Sequence, residues 1–247
     1  MSLLLALTER RVFPGRAALV VAHPDDETLA AGGSWALLGH VLLIHVTDGA
    51  PRGLDDAARA GFATAEAYGA ARQKELDRAV PAATLRADLL IPDQDAALHI
   101  PEIVARLAGL FHEHAIDSVL THAYEGGHPD HDATCAAVHR AAAGREIVEF
   151  PAYHAAADGT LVTGQFLPGP APTVITLTPD ERRQKQAMAA CFTTQQAFLT
   201  RFGFAHERFR AAPAYDFAQP PHPGRLNYEY WGWPLTGARF RDLACVA

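Results

Sequence analysis

Val20-Val21-Ala22-His23-Pro24-Asp25-Asp26-Glu27 decides the architecture. It closes an apolar run, Ala17 to Ala22, that reads as a buried strand. A proline breaks the run, and one imidazole and three carboxylates crowd the break. Thr28 to Leu38 then reads as a helix despite Gly32 and Gly33. A strand that feeds a helix through a tight turn places the turn at the carboxyl edge of a sheet, where open α/β folds carry their sites. Burying these four ionisable side chains together is costly unless something cationic compensates them. Imidazole and carboxylate are both ligands of divalent metals such as zinc.

The layout recurs a hundred residues later. Asp117 to His122 is strand-like and opens into Ala123-Tyr124-Glu125-Gly126-Gly127-His128-Pro129-Asp130-His131-Asp132, from which a helix runs on through Arg140. Two strand ends that carry His and Asp beside prolines can converge on one ion. His23 and Asp26 flank a proline-fixed turn, and His131, opening a helix, can supply a third donor. A catalytic zinc usually takes three protein ligands and keeps one position open. Adjacent aspartates at a helix start are ordinarily caps, and an isolated His-x-x-His is often only a solvated helix face. Their joint occurrence at strand ends points instead to a metal hydrolase.

The rest of the chain alternates in the same grammar. Val41 to Thr47 reads as a strand covered on both faces, ended by the turn Asp48-Gly49-Ala50-Pro51. Residues 50–70 are rich in Ala and Gly and read as a site-covering loop with weak helix. Helices are expected over Ala71–Ala79, over Pro101–His114, and from the capping sequence Thr178-Pro179-Asp180-Glu181 through Ala190. Strands are expected over Ala87–Ile91, Glu146–Phe150 and Thr173–Leu177. From Pro213 the chain is rich in Pro, Gly and aromatics, and a surface-wrapping tail is expected there. The alternation implies an α/β fold with a mostly parallel sheet, helices on both faces and a site at the carboxyl edge of the strands. Residues 1–247 read as one domain, with the tail covering about 213–247.

Composition narrows the partners. The 247 residues carry a formal charge of −7, which argues against a nucleic acid and against an anionic membrane surface. Cys135, Cys191 and Cys245 are odd in number and widely spaced, so neither a disulfide framework nor a thiolate zinc site is expected. Near the N-terminus Arg10 and Arg11 follow the apolar patch, the wrong order for a secretory signal. No run approaches the ~18 apolar residues of a membrane helix, so no membrane anchor and a cytoplasmic location are expected.

The two motifs, Ala22-His23-Pro24-Asp25-Asp26-Glu27 and Gly127-His128-Pro129-Asp130-His131-Asp132-Ala133, jointly resemble the signatures of the PIG-L/LmbE-like zinc-dependent de-N-acetylases. Looser similarity extends to Thr47-Asp48-Gly49, Arg72…Glu75-Leu76, Lys185…Gln195 and Glu207-Arg208-Phe209-Arg210. The resemblance implies a Rossmann-like fold, with one Zn2+ per chain, or Fe2+ in its place, held by His23, Asp26 and His131. It gives Asp25 the role of general base. It gives His128 that of stabilising the tetrahedral oxyanion or protonating the leaving amine, and Asp130 can hold the tautomer of His128. Glu27 is placed to support the site or cap the following helix. Arg72 matches an arginine that binds substrate in such relatives, with a helix-surface pair to Glu75 as the alternative. Asp93, or Asp95, can hold a sugar hydroxyl, and Tyr124 can polarise the amide carbonyl. His122, ending the strand that delivers the second motif, is the remaining histidine of interest. Cys135 is expected in the core.

The implied activity is hydrolysis of an N-acetylated amine by metal-activated water, on a small molecule of the N-acetylglucosamine type or its conjugate. Two other readings stay open: a zinc amidase or esterase acting on a non-sugar metabolite, and a non-catalytic sugar-binding relative. Retention of Asp25 weighs against the latter, since binding alone needs no base. Assembly as a homo-oligomer is left open.

Overall fold

The computed structural model describes residues 1–246. Among the described residues nine strands form, in chain order: β1 (Arg16–Val21), β2 (His40–Pro51), β3 (Leu85–Asp93), β4 (Ser118–His122), β5 (Glu146–Phe150), β6 (Tyr153–Ala155), β7 (Leu161–Thr163), β8 (Thr173–Thr176) and β9 (His206–Ala211). The α-helices are α1 (Leu3–Thr8), α2 (Asp26–Ala31), α3 (Asp55–Arg59), α4 (Ala65–Ala79), α5 (Ile100–Glu113), α6 (Pro129–Ala141), α7 (Pro179–Cys191), α8 (Gln196–Leu199), α9 (Asn227–Tyr230) and α10 (Gly237–Val246). Seven strands pair in the order β3-β2-β1-β4-β5-β9-β8, while β6 and β7 make a separate hairpin. The first five are parallel; β9 runs antiparallel to β5 and to β8.

Strand order reverses between β1 and β4, so the connections leave their carboxyl ends in opposite directions and open a crevice there. Alternation along β1 sends Ala17, Leu19 and Val21 to one face and Ala18 and Val20 to the other. The first face packs with Leu3, Leu7, Leu177, Met188 and Phe209. The second packs with Ile103, Leu107 and Phe111 of α5 and with Ala136 and Ala137 of α6. A rigid two-faced core therefore sits directly beneath both polar turns.

Several expectations from the sequence are corrected. The helix expected over Thr28–Leu38 is α2, which stops at Ala31, and a 3-10 turn follows over Trp35–Leu38. Glu207 of β9 accepts the backbone N–H groups of Gly33 and Ser34, ending the helical bonding. A Cβ on Gly33 would lie 2.4 Å from the Leu177 side chain, so glycine is what permits the approach. The helix expected from Ala71 begins earlier, at Ala65, because the Thr64 hydroxyl accepts from the Ala67 N–H. Of residues 50–70, expected as a loop, the first two end β2 and the last six open α4; the segment between holds the short α3, and Asp56, Arg59, Ala60 and Phe62 line the cavity described below.

The C-terminal stretch does more than wrap the surface. Phe240 and Ala244 are fully buried in the second core, and Tyr228 is fully buried as well. Asn227 clamps the second motif: its N–H donates to Gly126 O at 2.9 Å and its Nδ2 to Gly127 O at 3.0 Å. A side chain on Gly127 is excluded, since its Cβ would stand 1.9 Å from the Tyr153 carbonyl oxygen. Cys135 lies fully in the core. Among the described residues no helix is long and apolar enough to cross a membrane.

Candidate metal centre

The two turns meet where β1 and β4 part. His23 Nδ1 lies 3.2 Å from Asp26 Oδ2 and 3.3 Å from His131 Nε2, and that nitrogen lies 3.4 Å from Asp26 Oδ1. All three side chains are buried. Donors on a tetrahedral ion with bonds of about 2.0–2.1 Å stand about 3.3–3.4 Å apart. The spacing and the donor set thus fit a divalent metal. Asp26, although burial opposes it, is held well below the usual carboxylate range, chiefly by His131.

The far side of the His23 ring fixes which nitrogen is free. Its Nε2 faces Asp130 Oδ2 at 3.2 Å and Asp93 Oδ1 at 3.3 Å, which places the ring proton there and leaves the Nδ1 lone pair toward the other donors. Asp130 is itself anchored, accepting the N–H of Gln94 at 2.6 Å and of Ala96 at 3.1 Å. This corrects the expectation that Asp130 holds His128. The Asp130 Oδ2 stands 4.0 Å from His128 Nδ1, a nitrogen that accepts the Asp130 backbone N–H at 3.1 Å instead. As residue 130 enters α6 its N–H points back at the capping residue, so the backbone, not the carboxylate, orients the ring. Neutral His128 then carries its proton on Nε2, 3.8 Å from Asp93 Oδ1. Burial, with His23 adding to it, pushes His128 well below the usual imidazole range and favours that neutral form.

Asp25 is not part of the donor triangle. Its backbone sits at φ 126°, ψ −27°, a conformation that costs an L residue on the order of 1–3 kcal/mol. Two clamps hold it. Its N–H donates to Glu27 Oε2 at 2.9 Å, and that carboxylate also faces His45 Nε2 at 3.2 Å. Its own carboxylate accepts from Arg72 Nη2 at 2.9 Å. Burial pushes the Asp25 carboxyl up to about 8, Arg72 pulling against the rise and Asp26 and Glu27 adding to it.

Arg72 is therefore no helix-surface residue. It is buried, donating to Gly49 O at 2.7 Å and to Pro24 O at 2.6 Å as well as to Asp25. Glu75 turns away from it and accepts from Thr193 and Thr194. The Asp93 carboxylate lies in the same cavity, and its buried Oδ1 receives no well-formed hydrogen bond. Tyr124 is not brought to the centre: its hydroxyl donates to Gln219 O at 3.0 Å, and its ring packs against Tyr215, Phe217 and Phe240. His122 is fully buried, stacks on His131 with centroids 4.0 Å apart, and spends its Nε2 lone pair on the Ala22 N–H. It is a plate behind His131 rather than a fourth donor.

A cavity of about 910 Å³ opens over His23, Asp25, Asp26, His128 and His131. Sequence reasoning missed the residues that shape it. Trp231 and Trp233 come from the C-terminal stretch, Phe198 from α8 and Tyr153 from β6. The only signal for the tryptophans was the aromatic content of the tail, which says nothing of where the tail docks.

Residues 18–142, about half the chain, match the model of the family described as PIG-L, GlcNAc-PI de-N-acetylase. No curated protein matches the sequence. Among solved structures, the A40926 pseudoaglycone deacetylase Dbv21 is 20% identical with a TM-score of 0.63, over 82% of this chain and 100% of that one. N,N'-diacetylchitobiose deacetylase from Pyrococcus horikoshii is 16% identical with a TM-score of 0.55, over 85% and 90%. GalB, the 4-carboxy-2-hydroxymuconate hydratase from Pseudomonas putida KT2440, is 16% identical with a TM-score of 0.57, over 82% and 98%. A deacetylase and a hydratase thus share this fold, and the reaction has to be argued from the site.

Proposed function

The chain belongs to the PIG-L, GlcNAc-PI de-N-acetylase family, and on that premise we propose that it is a zinc-dependent hydrolase that removes acetyl from an N-acetylated amino sugar or its conjugate. The observation that carries the reading is the triangle of His23, Asp26 and His131 donors at 3.2–3.4 Å, with a second carboxylate, Asp25, beside it but outside it. Two imidazoles and one carboxylate suit Zn2+, and the same donor set also suits Fe2+. Bound there, the ion would supply Lewis acidity, acidifying a water molecule and polarising the amide carbonyl.

The chain's own groups do the rest. Asp25 takes a proton from the attacking water as the C–O bond forms, and delivers it to the amine nitrogen as the C–N bond breaks, giving acetate and free amine. The His128 Nε2–H donates to the carbonyl oxygen as negative charge develops there. Arg72 and Glu27 fix the direction of Asp25, and Asp130 fixes the ring of His23. The Asp93 carboxylate, which lines the same cavity, suits a substrate hydroxyl.

Acetate release tests the reading. N-acetylglucosamine, its glycosides, an N-acetyl peptide and an acetyl ester are assayed with and without a chelator. Chelator-sensitive release from the sugars supports it, and release from only the peptide or ester would replace it with the amidase or esterase reading.

A further inference from the structure

Among the described residues six other than glycine hold a positive φ, and five have an evident reason. Arg10, Ala115 and Ala143 follow the caps of α1, α5 and α6, where helices commonly end in this conformation. Leu90 lies in β3 where the pairing with β2 slips by one residue, a bulge. Asp25 is the base of the proposed reaction. Gln94, at φ 72°, is the sixth. Of the six, only Gln94 and Asp25 line the catalytic cavity.

The Gln94 backbone does one job, and that job needs no side chain. Its N–H donates to Asp130 Oδ2 at 2.6 Å, the oxygen that faces His23 Nε2. Every residue but proline carries such an N–H, and glycine reaches the same φ without strain. A long carboxamide held there against its backbone preference points to a task for the side chain itself. Gln94 directly follows Asp93, is half-buried and lines the same cavity. A carboxylate only accepts hydrogen bonds, whereas a carboxamide both donates and accepts. We infer that Gln94 is a specificity residue: its carboxamide hydrogen-bonds the substrate hydroxyl next to the one that Asp93 takes, so the two consecutive side chains read the relative configuration of a vicinal diol. The inference rests on the deacetylase reading and deepens it. An epimer with one hydroxyl inverted forfeits one of the two bonds, a loss on the order of tenfold in binding.

The test takes the zinc-reconstituted parent chain, Gln94→Gly and Gln94→Ala, with N-acetylglucosamine, its C4 epimer N-acetylgalactosamine and its C3 epimer N-acetylallosamine. In the parent, acetate release should favour one epimer over another by roughly tenfold in kcat/KM. In both variants KM for the favoured sugar should rise about tenfold and the preference should collapse toward one, with kcat and zinc content little changed. Gln94→Gly should melt above Gln94→Ala, because glycine relieves the backbone and alanine does not. A role confined to the backbone predicts something else: Gln94→Gly would match the parent in KM and in preference, and that result overturns the inference. A preference surviving in Gln94→Ala overturns it too. Calorimetric binding of glucosamine, galactosamine and allosamine reads the same contact without turnover. If no sugar releases acetate, but the parent binds one amine preferentially and both variants lose that preference, the deacetylase reading fails while the assignment of Gln94 stands. A parent chain that binds none of the three amines, or all of them equally, overturns the assignment.

Discussion

Arg72 Nη2 stands 2.9 Å from Asp25 Oδ2, joining two buried residues 47 apart in sequence that both line the cavity. The same nitrogen donates to Pro24 O, so one guanidinium holds both the carboxylate and the backbone that leads into its strained φ. Arg72→Lys keeps a cation but cannot span three acceptors with a planar fork. Its expected effect is a fall in kcat of more than tenfold, with KM little changed and metal content intact. Steady-state kinetics alongside elemental analysis check this, and wild-type kcat would remove Arg72 from the machinery.

Asp25→Asn retains the size and burial of the side chain and cannot take up the proton. Turnover is expected to fall on the order of 10²–10⁴-fold while the bound metal stays. Full activity in that variant would refute the base assignment.

Asp130 separates two accounts of the second motif. Because its carboxylate serves His23, Asp130→Asn is expected to weaken metal affinity about 10–100-fold. Were it instead the orienting partner of His128, the substitution would lower kcat and leave affinity unchanged. Competitive chelator titration distinguishes these outcomes.

These contacts also mark what the sequence made legible. Local signals sufficed for the strand–turn–helix pairs: apolar runs, a proline at each break and a cap at Thr178 located β1, β4, β5, α5 and α7 within a residue or two. The proximity of His23, Asp26 and His131 was legible as well, because the turns that carry them follow β1 and β4, which are neighbours in the sheet. The failures share a cause. His23 and Asp130 are 107 residues apart, Arg72 and Pro24 48, and Asn227 and Gly127 100, so no periodicity encodes those contacts. β9 was missed because His206–Ala211 mixes Glu207 and Arg210 into its buried positions. Those charges become tolerable only once Glu207 meets Lys185 and the Gly33 and Ser34 amides, and Arg210 meets Glu149.

Lys185 gives a stability prediction. Its ammonium is buried, donating to Glu207 Oε1 at 2.8 Å and to Leu29 O at 2.7 Å. Lys185→Met leaves the Glu207 carboxylate buried without its cation, at a cost of about 3 kcal/mol. The melting temperature should drop by roughly 6–12 °C, and adding Glu207→Gln should recover part of it. An unchanged melting temperature in the single variant would contradict the reading.

Acid sensitivity has a source away from the metal centre. His139 packs against Tyr215 and Phe217, and burial pushes its imidazole down to about 4. The unfolded chain takes up this proton near pH 6.5 while the fold refuses it until about 4. Stability present above pH 6.5 is therefore lost as pH falls through that window, by roughly 1–2 kcal/mol after allowance for partial exposure. Urea midpoints at pH 7.5 and 4.5 should diverge less in His139→Gln than in the parent chain. Equal divergence would show that His139 does not contribute.

Metal content tests the central claim most directly. After reconstitution with zinc and removal of free ion, elemental analysis should give one equivalent per chain for the parent and for Asp25→Asn. His131→Ala should give close to none. A stoichiometric ion in His131→Ala, or none in the parent, would contradict an account in which the two turns close around a single cation.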